Sequence, residues 1–475
     1  MRIGMLLAAL VMAAGFGGIA SGEGPAGAPA TAPTGPVKQI EDPGGKAWEF
    51  RPLPLPPLEG ILKSARPNPF IYGLYTWTGE YKTHHESIKK VGWKAFRVGG
   101  QIDDDAMKIF VADDVEVMPT LAPGKEAGKP DVKALEGSAY VTGYQEKLAK
   151  FVERYGPEGT FFKDNPALPK KPIRQIEICN EPNFQYLIPP DGRPGTELEK
   201  DRETLYATLL PAAYAAIKAK SADVKVIGFG AGGSGAGDMR FIEHVHQKNP
   251  AVAKSYDVLS THPYVEPAPP EAWSIHSWGG YSAANSLKVI RKTLEEFKRG
   301  DAPIWYTEVG WPISQADGGF FKSKGNSVSP MRQAAYVCRL YALAQRLGVE
   351  RVDIMFATDT DNFNAGFFLR DGTWRPSAHA VQTMIHLMPA PKLMEVPSDG
   401  VDGMFIYTFT PSKEKGAKPV VMAWNVARPK EVGIKVDGAK AEVVDMLGTA
   451  RQENLDGGVV KVLIGPYPVY VHAAE

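Results

Sequence analysis

The stretch KPIRQIEICNEPNF, residues 171–184, decides how the rest of the chain is read. Ile173, Ile176 and Ile178 are branched apolar residues in a short run. Pro166, Pro169, Lys170, Lys171 and Pro172 bound that run upstream and Pro182 bounds it downstream, the pattern of a buried strand. Pro182 cannot donate to a ladder, so Glu181 falls at or just past the strand's C-terminal end. A carboxylate there, set between the amides Asn180 and Asn183, is poorly placed for solubility and well placed for chemistry. A second stretch repeats the design. In APIWYTEVGW, residues 302–311, Ile304, Trp305 and Tyr306 are strand formers, and Glu308 stands where the strand gives way to Gly310 and Pro312. Two such strands in one barrel would open both acids into the same mouth.

Outward from these stretches the chain alternates. Strands are expected at 70–77, 93–98, 115–121, a run ending at 179, 224–229, 256–261, 303–307 and 352–357. Helices follow at 82–91, 103–111, 140–155, 197–219, 238–247, 283–298, 329–347 and 376–388. Asp238 caps its helix. The seventh helix has Ser329 as N-cap, Pro330 at its first position and Gly348 at its end. Strands alternating with helices imply a parallel sheet, and eight pairs imply a closed (β/α)8 TIM barrel over 67–389. An open doubly wound sheet is the structural rival. Helix-to-strand links are short (221–223, 300–302), whereas the links after strands four, six, seven and eight are long (180–196, 262–282, 308–328, 358–375). Long insertions on the face where parallel strands end build an active-site rim, and both acids lie there. From 390 to 475 helical patterning gives way to short strands and turns, read as a C-terminal antiparallel β-sandwich domain. Residues 40–66 are expected to add a strand or a cap to it.

Residues 1–22 read as a signal peptide. Arg2 opens it, an apolar run at 6–16 is too short to span a bilayer, and Ala20, Ser21 and Gly22 suit a signal peptidase. Residues 23–39, rich in Ala, Gly, Pro and Thr, read as a linker. The mature protein is therefore expected to be secreted or periplasmic, with no membrane insertion of its own. The net charge is zero, 54 basic against 54 acidic residues, so nothing favours nucleic acid or a charged membrane surface. Cys179 and Cys338 make no disulfide framework and are read as buried thiols. The sequence carries no signal for oligomeric state.

The pair NEP and TEVGW in a barrel of this kind resembles glycoside hydrolase clan A. The C-terminal section, with VMAWNVA, DMLG and GPYPVYV, is similar to the small β-domain appended to several of its families. The resemblance is nearest to family 39-like bacterial enzymes, with motif similarity to families 5 and 17, and covers nearly the whole mature chain. It implies a retaining glycosidase that acts on an oligo- or polysaccharide without a cofactor or metal. In that scheme Glu181 is the general acid/base and Glu308 the nucleophile. Asn180 bonds the sugar 2-hydroxyl, Arg97 holds the nucleophile ionised, and His262 and Tyr264 orient Glu308 and the sugar. Physical logic agrees: retention needs one carboxyl that stays charged, favoured by a nearby Arg, and one that starts protonated, favoured by a dry site.

The clan often places a Trp platform after strand eight. Here MFATDTDNF offers Phe356 instead, and Trp77, Trp278 and Trp311 are the candidates for stacking on sugar. Asp359 and Asp361 are read as a solvated loop. Gly230–Gly235 matches GxGxxG but falls at the fifth strand, so it is read as a permissive loop near the sugar. His244 and His246 point to different helix faces, and His84 and His85 lack further ligands at a usual spacing, so no metal set is expected. Two rival functions remain: a barrel that binds glycan without cleaving it, and a polysaccharide lyase or metal-dependent hydrolase on the same fold.

Overall fold

The computed structural model describes residues 53–474 apart from 125–127, 234–235, 273–281, 321–326, 361–362, 413 and 415, together with the short strands Val37–Lys38 and Glu49–Phe50. The expected signal segment, most of the expected linker, Trp278 and Asp361 lie outside the described residues. The end of the expected linker is not wholly irregular: Val37–Lys38 pairs antiparallel with Glu49–Phe50.

Eight parallel strands close into a barrel: β1 (Tyr72–Trp77), β2 (Ala95–Gly99), β3 (Glu116–Leu121), β4 (Gln175–Ile178), β5 (Lys225–Gly232), β6 (Val258–His262), β7 (Ile304–Val309) and β8 (Arg351–Met355), with β8 pairing back to β1. The open-sheet rival is excluded by that closure. Strand alternation sorts the side chains. Ile176 and Ile178 of β4 face the helix layer, while Gln175 and Glu177, equally buried, alternate with them. Near the barrel floor Met118, Ile227, Val258 and Trp305 form a small apolar plug. Above it the interior is ionic. Arg351 grips Asp353 at 2.7–3.0 Å, and a side chain at Gly73 would lie 2.3 Å from the Asp353 carboxylate, so only glycine fits there.

A bulge re-aims the second acid. Between Tyr306 and Val309 of β7, the two residues Thr307 and Glu308 oppose the single Asp353 that separates Val352 from Ile354 of β8. Strict alternation would give Glu308 the outward face of Tyr306; the extra residue turns it toward Arg97.

The last third of the chain is two sheets. The larger has the order β9 (Lys392–Val401), β10 (Met404–Thr410), β11 (Val420–Asn425), β16 (Val469–Ala473), β13 (Lys440–Val444), β14 (Ala450–Asn454); the smaller pairs β12 (Lys430–Lys435) with β15 (Val459–Ile464). Period-two alternation assigns the faces. Ile406, Val421, Ala423 and Val471 pack toward the small sheet. Phe405, Tyr407, Phe409, Met422, Trp424 and Tyr470 join the barrel's own core. The β-domain is thus built against the barrel. The helix Leu58–Ser64 lies by this junction: Arg346 donates to the Pro56 carbonyl at 2.8 Å and to Asp399 of β9 at 2.7 Å. Cys179 and Cys338 are both buried free thiols, pushed up to about 12 by burial. Among the described residues no helix is long and apolar enough to cross a membrane.

Candidate active site

Arg97, fully buried in β2, is the hub. Its Nε donates to Glu177 at 2.6 Å, Nη1 to Glu308 at 2.6 Å and Nη2 to the Asn180 side chain at 2.6 Å. Its guanidinium lies 4.3 Å above the Tyr75 ring. A buried cation needs anions around it, and Glu177 supplies one from below. Glu177 also accepts from Thr120 at 2.9 Å and Ser260 at 3.0 Å. Burial is the largest influence and would raise its pKa, but the Arg97 charge, the His262 ring and hydrogen bonds from Thr307 and Arg97 together outweigh it and hold Glu177 below the usual carboxylate value.

Glu308 has both oxygens engaged. Oε2 accepts from Arg97, and Oε1 from the Tyr264 hydroxyl at 2.5 Å. Both oxygens of Glu308 thus face hydrogen-bond donors, one of them a cation. Glu181 is different. His262 Nδ1 lies 3.0 Å from its Oε1. Burial pushes Glu181 up to about 7, against the pull of Arg97, and burial pushes His262 down to about 4. The pair is therefore a neutral imidazole beside a carboxyl that holds its proton near neutrality. One oxygen of Glu181, one of Glu308 and a ring nitrogen of His262 all lie within 4.8 Å of one another. The two acids meet in one mouth in unlike surroundings: Glu308 beside a cation and a hydroxyl, Glu181 beside an imidazole.

The backbone around Glu181 is strained into place. Cys179 and Glu181 adopt φ of 66° and 42°, sparsely populated for residues with side chains. Hydrogen bonds hold them there: Cys179 N to Leu121 O at 2.9 Å and Glu181 N to Gly230 O at 3.0 Å. Asn183 clips the same turn to β5, exchanging bonds with Gly232 O at 2.9 Å and Gly232 N at 3.0 Å. A side chain at Gly232 would stand 2.5 Å from Glu181 Oε1. The glycine run at the end of β5 is therefore more than permissive: the missing Cβ of Gly232 makes room for the Glu181 carboxyl.

Several expectations are revised. His262 bonds Glu181 rather than Glu308, and the Tyr264 hydroxyl bonds Glu308. Trp311 is 1% exposed, with its indole N–H donated to Ala268 O at 2.8 Å and its ring edge-on to Tyr336, so it offers no face to a ligand. Phe356 is buried against Tyr75 at 5.0 Å. Trp77 stays 39% exposed at the end of β1, its ring 5.9 Å from Tyr75. Asp359 is buried, not solvated: Arg375 grips it at 2.5 and 2.7 Å and the Phe320 and Gly366 amides donate to it.

Three residues escaped the sequence reading. Glu177 looked like one more position of a greasy strand, although an acid two residues before Cys179 was the available signal. Tyr186, in the loop after β4, is 40% exposed yet within the electrostatic reach of both Glu181 and Glu308. Glu266, in the loop after β6, is buried and pushed up to about 8 by burial, and its Oε2 has no hydrogen-bond partner among the described residues.

As to metal, Glu181, His262 and Glu308 are close enough to share an ion. Both Glu308 oxygens are already bonded to Arg97 and Tyr264, and Glu181 Oε1 faces His262 Nδ1, so an ion would compete with those bonds and sit beside the guanidinium. His85, Glu86 and Asp113 form a second cluster, but Asp113 already pairs with Lys89 at 2.9 Å and accepts from Tyr81 at 3.0 Å.

No protein-family model matches the sequence, and no curated protein does. The fold is similar to those of solved structures. One is a family 39 glycoside hydrolase from the gut symbiont Bacteroides cellulosilyticus WH2, at 18% identity and TM-score 0.61, with 90% of this chain and 84% of that one covered. Another is a monomeric β-xylosidase from Caulobacter crescentus CB15, at 14% identity and TM-score 0.55, covering 86% and 97%. A third is a family 44 xyloglucanase from Paenibacillus polymyxa, at 10% identity and TM-score 0.52, covering 86% and 97%. At these identities the likeness is one of fold.

Proposed function

We propose that this chain is an exported retaining glycoside hydrolase of the family 39 type within clan A, cleaving O-glycosidic bonds of an oligo- or polysaccharide. The observation that carries the reading is the pair of buried carboxyls in one barrel mouth, their nearest oxygens within 4.8 Å, one bonded by Arg97 and Tyr264 and the other kept protonated by burial. Retaining glycosidases hold their carboxyls about 5–5.5 Å apart, whereas inverting enzymes leave about 6.5–9.5 Å for a water. The kinship of fold with glycoside hydrolases adds support.

In this reading Glu308 attacks the anomeric carbon and forms a glycosyl–enzyme. Glu181 gives its proton to the departing glycosidic oxygen, then takes one from the water that releases the sugar. Arg97 and Tyr264 stabilise the Glu308 carboxylate when it leaves, and the Asn180 amide, fixed by Arg97, meets the sugar 2-hydroxyl. Trp77 and Tyr186 supply aromatic faces at the rim, Tyr186 on the leaving-group side because its loop carries Glu181.

Azide tests the two roles separately. In Glu181→Ala, azide replaces water at the glycosyl–enzyme and gives a glycosyl azide of retained configuration. In Glu308→Ala, it attacks from the nucleophile's side and gives the inverted azide. Wild-type turnover in both variants would refute the site. The activities of the structural neighbours set the first substrates to try, aryl xylosides and xyloglucan. Export is tested by N-terminal sequencing of mature protein, with cleavage expected close to residue 22.

A further inference from the structure

The loop after β6 is built unlike a surface loop. Residues 265–272 are buried without a break, although connecting segments normally run over the surface, where water satisfies their backbone. Pro267, Pro269 and Pro270 remove three backbone donors that burial would orphan. Tight turns take up further donors: Tyr264 N to His262 O at 2.9 Å, Ala268 N to Val265 O at 2.9 Å and Ala272 N to Pro269 O at 3.0 Å.

The far end of this loop is fastened to the β-domain. Glu271 is buried and accepts from Arg339 Nε at 2.8 Å, from Arg339 Nη2, and from the Trp424 indole N–H at 2.9 Å. Arg339 lies on the helix Pro330–Arg346, and its remaining arm donates to Pro466 O of the β-domain at 3.1 Å. The same helix pins the middle of the loop. Gln333 donates to Trp311 O at 2.8 Å, and the Trp311 indole donates to Ala268 O at 2.8 Å. A buried ion pair is weak support for stability but strong support for one geometry, because every alternative leaves a bare charge in the core. The near end of the loop carries Tyr264, whose hydroxyl holds Glu308.

We propose that the β-domain is the anchor of this catalytic loop, and that Glu271, gripped by Arg339 and Trp424, is a positioning residue that sets the Tyr264 hydroxyl on Glu308. The domain then acts on the chemistry of the barrel rather than as an independent carbohydrate-binding module. The proposal rests on the glycosidase reading for its effect on rate, and on geometry alone for its effect on the loop.

The test uses the full mature chain, with Trp424→Phe, which keeps the ring and removes the N–H, and Glu271→Gln, which keeps the shape and removes the charge. Amide hydrogen exchange of 264–272 is followed by mass spectrometry, beside kcat and KM on a glycoside that wild type cleaves. Losing one hydrogen bond to a buried carboxylate is expected to speed loop exchange about tenfold or more, with exchange in β1 and β8 unchanged. It is also expected to lower kcat about tenfold while KM stays within about twofold. Unchanged loop exchange in both variants overturns the proposal, and so does equal loosening of loop and barrel. Loop loosening in a chain whose wild type cleaves no glycoside supports the anchor and overturns the proposed function instead. If Trp424→Phe does not fold, Glu271→Gln alone decides between these outcomes.

Discussion

Glu181→Gln is expected to lose activity and gain stability, and the gain has a definite pH dependence. Burial moves the Glu181 carboxyl from an ordinary 4.5 to about 7 in the folded protein. A raised carboxyl pKa means that the folded state binds the proton more tightly than the unfolded chain. Folding is then favoured at low pH, and stability is lost as pH rises from 4.5 through about 7. At about 1.4 kcal/mol for each pH unit of that interval, ionised Glu181 costs the folded protein on the order of 3 kcal/mol above pH 8. Glutamine carries no charge at any pH, and its amide can donate to His262 Nδ1 as the protonated acid does. Thermal unfolding of both proteins is measured from pH 4 to pH 9. The variant is expected to match wild type within about 0.5 kcal/mol at pH 4 and to exceed it by about 2–3 kcal/mol at pH 9. Titrating groups remote from Glu181 are common to both chains and cancel in the difference. The same proton sets the rate profile: wild-type kcat/KM should fall as pH rises through about 7, because the acid is then lost. A stability difference that does not grow with pH would show that Glu181 is not held protonated by its site, and would refute the reasoning.

Three more outcomes follow from the geometry. Arg97→Met leaves Glu177 and Glu308 buried without their counter-charge; it should destabilise by about 3–5 kcal/mol and cut kcat/KM at least about 10²–10³-fold, read by thermal melts and initial rates. Gly232→Ala places a methyl 2.5 Å from Glu181 Oε1; it should cost about 1–3 kcal/mol and lower kcat on the order of 10²-fold by displacing the acid, and near-normal kcat would show that the glycine makes no room. Tyr186→Ala should raise KM on an oligosaccharide roughly two- to tenfold, with Tyr186→Phe close to wild type, as expected of an aromatic face rather than a hydroxyl contact.

The barrel was legible because each strand–helix pair repeats one local rule: a short apolar run, a stop, then an amphipathic helix with caps such as Ser329 and Pro330. The two acids were legible for the same reason, as carboxylates where greasy strands end. Orientation was not legible. Glu308 faces the interior only through a bulge in β7, and Glu181 sits in a positive-φ turn that depends on Gly230 and Gly232 of the next strand, about 50 residues further along the chain. Trp311, three residues past an acid, looked like a platform, but whether such a ring faces the mouth or the wall depends on what fills the wall, here Tyr336 and Ala268. Glu177 was hidden because a fully buried acid within a strand becomes meaningful only beside its cation, and Arg97 lies 80 residues away in the chain. In the β-domain two strands carry a weak sequence signal. Lys392–Val401 holds Pro397 and Gly400 and shifts register repeatedly against its partner, and Ala450–Asn454 is a polar, largely exposed edge strand.

The most direct test of the central claim is covalent trapping. The mature enzyme is incubated with activated 2-deoxy-2-fluoro glycosides of xylose, glucose and galactose, followed by intact-mass measurement and peptide mapping. Double displacement predicts a single fluoroglycosyl adduct on the peptide spanning β7, attached at Glu308, with activity lost in proportion to labelling. An adduct on another carboxylate, or hydrolysis of a parent glycoside with inversion and no adduct, would contradict it.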